Sequence, residues 1–191
     1  GNFALTFSND QSGEKGSSDF RQSRNFGVKW SHSQDSKARP GTSFTASVNF
    51  SSPSNSKYNS TSVEEALQNK ISSSISYSKN WNGKMNLSIN ALHNQDSKDS
   101  SYSFTLPNVT FSVNRFYPFK RKNRVGKEKF YEKFSLGYNT AFQNRISFKA
   151  SEFNKPGFWD KFQNGMTHNF QIGLPNFTAF KYINVTPSVQ Y

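Results

Sequence analysis

Cysteine is absent from the 191 residues, which excludes a disulfide framework, a thiolate metal site and a cysteine nucleophile. Long apolar runs are absent too: nothing approaches the roughly 18 consecutive apolar residues of a spanning helix. The chain opens Gly-Asn-Phe-Ala-Leu-Thr-Phe, already alternating and without a charged n-region and apolar h-region, so the reading expects no signal peptide and a fragment of a longer protein. Acidic residues are scarce, 12 against 24 Lys+Arg, giving a net charge of +12. Apolar residues make only 32% of the chain and the mean hydropathy is −0.82, whereas a packed soluble domain uses roughly 45–50% counting Gly. That balance resembles disorder. The aromatics oppose it, because 20 Phe, 8 Tyr and 3 Trp make 16% of the chain and disordered segments are poor in them.

Catalytic constellations are missing as well. His32, His93 and His168 are far apart and none sits in a metal-binding spacing such as H-E-x-x-H. His168, near Met166 and Phe170, reads as a structural strand histidine, and Ser31-His32-Ser33 as a chance juxtaposition in a serine-rich chain. No Gly-rich phosphate loop, paired carboxylates or nucleotide motif is present, so no enzyme, cofactor or metal is expected.

What the sequence has is alternation. Apolar residues recur at every second position in Phe3-Leu5-Phe7, Phe26-Val28-Trp30, Phe44-Ala46-Val48-Phe50, Ile71-Ile75-Tyr77, Met85-Leu87-Ile89-Ala91, Tyr102-Phe104-Leu106 and Val109-Phe111-Val113. The pattern continues in Phe134-Leu136-Tyr138-Phe142, Ile146-Phe148-Ala150, Met166-Phe170-Ile172-Leu174 and Ile183-Val185-Val189-Tyr191. Period two marks strands with one apolar face, about eleven of them. The interleaved residues are Ser, Thr, Asn, Gln and Gly rather than the charges that an ordinary wet sheet face carries. Apolar-out, neutral-polar-in segments are the signature of a transmembrane β-barrel. The fold class read is therefore all-β, an antiparallel transmembrane β-barrel segment of about 11 strands from a larger barrel, with 1–191 as one partial domain.

Reading boundaries to roughly ±3 residues, the links fall at 9–23, 34–42, 53–69, 81–83, 94–99, 107–108, 117–131, 143–144, 153–163 and 175–180. Long and short alternate, as barrel loops and turns do. This depends on Leu106-Pro107-Asn108-Val109 being a turn, with Pro at i+1 and Asn at i+2. One long strand bulged at Pro107 is the alternative, since apolar parity switches there. Leu174-Pro175-Asn176-Phe177 repeats the motif and favours the turn. In the 53–69 link, Ser62-Val63-Glu64-Glu65 fits a capping box for a turn or two of helix. Tyr58, Trp81, Phe116, Tyr117, Phe119, Phe130, Tyr131, Phe158 and Trp159 gather at strand ends, where aromatic girdles meet the membrane boundary.

The sharpest charge feature is Arg115, Lys120, Arg121, Lys122, Arg124, Lys127, Lys129 and Lys133, with Glu128 and Glu132 as its acids. It reads as a solvated loop or as a collar for anionic lipid headgroups, where each cation contributes on the order of 1 kcal/mol. A nucleic-acid strand suits basic residues among aromatics but does not account for the alternation, and no nucleic-acid partner is expected.

The run from Leu106 through Val109-Thr110-Phe111-Ser112-Val113-Asn114-Arg115-Phe116-Tyr117-Pro118-Phe119 to Lys122, then Phe130-Tyr131-Glu132-Lys133 and Tyr138-Asn139, resembles the lipopolysaccharide-assembly outer-membrane proteins (LptD family) of the Bacteroidetes type. The block from Lys181 to Tyr191 resembles the same family. The resemblance implies a barrel of about 26 strands, a preceding periplasmic jellyroll absent from this chain, and a plug lipoprotein inside. It places the chain in the middle of the barrel, in the cell outer membrane. It further implies a non-enzymatic translocon that inserts lipopolysaccharide into the outer leaflet, with outer-membrane lipid and, during assembly, the barrel-insertion machinery as further partners. The family's paired cysteines are missing and no gate residue is carried over. The alternatives are a general porin or nutrient-uptake barrel, and a secreted glycan-binding β-sandwich.

Overall fold

The computed structural model describes residues 1–52, 70–123, 126–179 and 182–191. Eight strands run as an antiparallel meander: β1 (Asn2–Ser12), β2 (Arg21–Ser33), β3 (Thr42–Ser51), β4 (Lys70–Trp81), β5 (Met85–Asp96), β6 (Ser101–Phe116), β7 (Ser135–Lys149) and β8 (Gln163–Gly173). After β8 come a small hairpin of β9 (Phe177–Ala179) and β10 (Ile183–Val185), then β11 (Ser188–Gln190), which pairs with the outer edge of β8. The nine-stranded sheet β1-β2-β3-β4-β5-β6-β7-β8-β11 is all-β and not closed. No helix among the described residues is long and apolar enough to cross a membrane.

Register turns the alternation into continuous rows. Phe3 faces Trp30, which faces Val48. Tyr77 faces Ile89, Ile89 faces Val109, Val109 faces Phe142 and Phe142 faces Met166. All share one face, because strand side chains alternate. The opposite face carries rows such as Ser72, Asn94, Ser103 and Ser147.

No second layer among the described residues covers the middle of the apolar face. Among the described residues the buried apolar side chains are Ala46, Ile71, Tyr102, Ile146 and Phe158, far too few for a two-layer domain. Phe3, Leu5 and Phe7 are 69%, 68% and 70% exposed, and Met166 and Phe170 are exposed too. Each large apolar side chain gains roughly 1.5–3 kcal/mol when removed from water, so a bare face this broad needs hydrocarbon or a partner against it. Within the sheet the inner strands pair on both sides, while β1 keeps a free edge among the described residues, so only a closed continuation of the sheet meets the condition for crossing lipid.

Two expected turns are instead strand. β6 runs unbroken through Leu106-Pro107-Asn108-Val109, and the Leu106–Pro107 peptide is cis. Register slips there against both neighbours: Leu106 and Pro107 together lie opposite Ala91 of β5 and opposite Asn144 of β7. This is a bulge, the alternative reading, and it accommodates a proline that has no N–H to give to a ladder. It also switches the apolar parity from Tyr102 and Phe104 to Val109, Phe111 and Val113, keeping all five on one face. β7 likewise continues through 143–144. Asn144 interrupts its apolar parity because Asn144 Nδ2 donates to the Leu106 carbonyl at 3.1 Å, satisfying the bulge.

Without these turns, the regular alternation of long and short links disappears. One end of the sheet, marked by Trp81, holds links 34–41, 82–84 and 117–134; the other, marked by Phe158, holds 13–20, 97–100 and 150–162, and there β3 ends and β4 begins. Both ends thus mix long and short. The strand total of eleven is reached differently from the reading: four expected strands merge into β6 and β7, the last one splits into β10 and β11, and β9 is added. The capping box at Ser62–Glu65 and Tyr58 lie outside the described residues.

Candidate functional site

On the polar face, cross-strand pairs of short polar side chains satisfy one another. Ser43 and Ser78 hydroxyls are 2.7 Å apart, Ser72 donates to Asn94 Oδ1 at 2.9 Å, Ser76 donates to Asn90 Oδ1, and Ser147 donates to Ser103 at 3.2 Å. Asn80 Nδ2 donates to Asn86 Oδ1 at 2.5 Å. Near the Phe158 end, fully buried Asn25 donates to Asp10 at 2.7 Å, and Ser8 donates to the same carboxylate at 3.0 Å. The result is a wide surface dominated by hydroxyls and amides, with Lys29 and Arg145 among the charges on the same face. It can hydrogen-bond a sugar chain without holding it by strong ion pairs.

The aromatics flank this sheet at both ends. Trp81, Phe116, Tyr117, Phe119, Phe130 and Tyr131 lie at one end, where Lys79 sits 5.1 Å above the Trp81 ring. At the other, Phe158 packs edge-on against Phe148 at 4.9 Å and Phe153 at 5.4 Å, while Trp159 stacks on Phe162 at 6.0 Å. This 150–162 link therefore folds over the apolar face at its end, so the protein's own loop, rather than lipid alone, covers the Phe148 corner. Glu152 organises it: its carboxylate accepts the Lys149 N–H at 2.9 Å and pairs with Lys161 Nζ at 2.8 Å. Those contacts, Lys161 first, hold the Glu152 carboxyl below its ordinary range. In the 97–100 turn, the hydrogen bond from Ser101 does the same for Asp99.

The basic segment does not act as one unit. Arg121 turns inward: Nε lies 3.5 Å from Oε1 of Glu132, a side chain only 2% exposed, and Nη2 donates to Tyr131 Oη at 3.2 Å. Lys120 sits 5.4 Å over the Tyr117 ring and Lys129 5.9 Å over Tyr131. Lys122 and Lys127 are exposed, and Arg124 lies outside the described residues. Arg115 and Lys120 join Lys133 around a cavity that the sequence did not reveal. Its other wall comes from Gly173 onward, 40 positions after Lys133, so only tertiary structure brings them together.

The three histidines stay apart, and no metal-holding group of three or more His, Cys, Asp or Glu exists among the described residues. Ser31 and Ser33 point to the face opposite His32, since neighbours on a strand diverge. His32 packs 5.6 Å from Phe44. His93 is buried between Phe50 and Phe104, with rings 4.9 Å and 4.7 Å away. Its Nδ1 lies 3.2 Å from Ser73 Oγ, whose proton goes to the Asn49 carbonyl at 2.7 Å. His168 Nδ1 meets Tyr138 Oη at 2.7 Å.

A one-layer sheet with an apolar and a neutral polar face, aromatic at both ends, is the architecture of an outer-membrane barrel wall. No curated protein and no solved structure matches the chain. The family model described as LptD protein matches residues 1–191, and with its whole length matched the chain belongs to the LptD family, whose role is in lipopolysaccharide transport and assembly at the outer membrane.

Proposed function

We propose that this chain forms part of the wall of an outer-membrane translocon that inserts lipopolysaccharide into the outer leaflet. Its apolar rows contact acyl chains and its Ser/Asn/Thr face lines a hydrated lumen that holds a plug lipoprotein and accommodates the saccharide. The observation that carries this reading is the family match across residues 1–191 on a sheet whose apolar face has no second layer among the described residues. The open sheet supports a larger barrel, because free strand edges in lipid cost several kcal/mol per unpaired backbone group. The barrel-insertion machinery fits the same need during assembly. The family is not one of enzymes, and the chemistry proposed is movement without bond-making.

The exposed lysines Lys122 and Lys127 suit anionic headgroups at the Trp81 end, whereas Arg121 is committed to Glu132. Depletion of the protein in cells tests the main reading. Surface lipopolysaccharide, followed by protease-free surface labelling, is expected to fall while the molecule accumulates at the inner membrane. Unchanged delivery after depletion contradicts it, and impaired uptake of small solutes in its place favours a porin.

A further inference from the structure

At the Trp81 end of the polar face, a cavity of about 630 Å³ opens between the 117–134 link and the segment that follows β8. Arg115, Lys120 and Lys133 line it against one acid, Glu128. Neither Arg115 nor Lys133 has a salt-bridge partner among the described residues. Arg115 reaches the cavity through a second bulge of β6, where Asn114 and Arg115 together oppose Gly137, and such bulges redirect side chains. Its guanidinium lies across Gly173: a Cβ there would stand 3.9 Å from Arg115 Cζ and run into the Ser135 hydroxyl. Glycine thus leaves the cavity floor open to the cation.

We propose that this cavity binds an anionic saccharide, with Arg115, Lys120 and Lys133 on its phosphate or carboxylate. The inference rests on the polar face being the lumen of the transport barrel. Three cations against one carboxylate select an anion. The volume falls within the roughly 300–1,000 Å³ of small-molecule sites and is many times the roughly 30 Å³ of one water, too large for a bare phosphate. The remaining lining suits sugar: Ser135, Asn176, Thr186 and Ser188 supply hydroxyl and amide partners, and Tyr117 supplies a ring face. Arginine adds two parallel donors matched to phosphate or carboxylate.

The test titrates the full-length protein, in detergent, with a phosphorylated disaccharide, its neutral parent and inorganic phosphate, using calorimetry. The phosphorylated sugar is expected to bind best, and the double variant Arg115→Gln/Lys133→Gln to weaken it by about tenfold or more while leaving the neutral sugar unchanged. Lys122→Gln/Lys127→Gln, outside the cavity and directed to headgroups, is expected to leave sugar binding in a lipid-free micelle at the wild-type level. Heat-modifiable gel mobility verifies that each variant is folded; should the double variant misfold, the single Lys133→Gln carries the comparison with a smaller loss. Equal binding of the neutral sugar, equal binding of inorganic phosphate, or a loss that follows Lys122 and Lys127 and requires anionic lipid in the micelle each overturns the proposal, the last in favour of a headgroup site. If depletion abolishes lipopolysaccharide delivery but the double variant binds as wild type, this inference fails alone. If depletion leaves delivery intact, the transport reading fails whatever the cavity holds.

Discussion

Arginine placed at Ile89, Val109 or Phe142 is expected to destabilise the assembled barrel by about 2–4 kcal/mol, the cost of a cation on the lipid face at mid-depth. These three residues face one another in a row across β5, β6 and β7, midway between the aromatic ends. The same substitution at Leu136 or Ile172 is expected to cost about 0–1 kcal/mol, because both lie in register with Phe116 at the Trp81 end, where the guanidinium reaches headgroups and water. At Ser112 or Asn139, on the polar face, the change is expected to be milder than at mid-depth. Urea titration of protein folded into lipid vesicles measures all sites on one scale. Equal tolerance of arginine on both faces contradicts the assignment of the apolar face to lipid.

A larger effect is expected from adding a single residue, a serine inserted between Val109 and Thr110. The bulge at Leu106–Pro107 already sets two residues opposite one on each neighbour, which keeps Val109, Phe111 and Val113 on the face of Tyr102 and Phe104. From Asn108 to Val113 the pairing is one to one, so an added residue there turns the part that follows over by period-two geometry. Thr110 and Ser112 then face hydrocarbon while Phe111 and Val113 face the lumen. Burying a hydroxyl without a partner costs about 1–3 kcal/mol in proteins, so these reversals amount to several kcal/mol and abolish membrane insertion. Loss of the heat-modifiable folded band reports this. Deleting Pro107 removes the bulge and leaves Leu106 alone opposite Ala91 and Asn144, with the apolar residues of β6 still on one face, and is expected to leave the band in place. Survival of the folded form with the inserted serine contradicts the two-faced account of β6.

The contrast between these predictions shows what a sequence of this kind makes legible. Strand faces depend on composition at every second position, so Tyr77, Ile89, Val109 and Phe142 were readable as one kind of residue before their row was known. A bulge is harder to read, because proline and asparagine serve both a turn and a kinked strand. Parity separates the two only when the flanking strands show that they stay in step. In β7 the polar pair at 143–144 suggested a turn, yet Asn144 is polar because it hydrogen-bonds the bulge carbonyl of the neighbouring strand β6. That reason lies 38 residues away. Link lengths failed for the same cause, since their apparent rhythm was produced by two turns that do not exist.

The basic segment was legible as charge but not as function. Its sequence gives no sign that Arg121 serves a buried Glu132, or that Arg115 lies across Gly173 beside Lys133. Both arrangements depend on where the 117–134 link folds back. The aromatic ends were anticipated from position alone. The coverage of Phe148 by Phe158 was not, because a loop folding onto its own sheet leaves no periodic trace.

The absence of cysteine allows the central claim to be tested residue by residue. Single cysteines introduced from Asn108 to Val113 along β6, each carrying a fluorophore in vesicle-embedded protein, are to be exposed in turn to a quencher on lipid acyl chains and to one in water. The account predicts strict alternation, with 109, 111 and 113 quenched from the lipid and 108, 110 and 112 from water. Uniform quenching by the aqueous reagent at all six positions would show that the apolar rows do not face hydrocarbon.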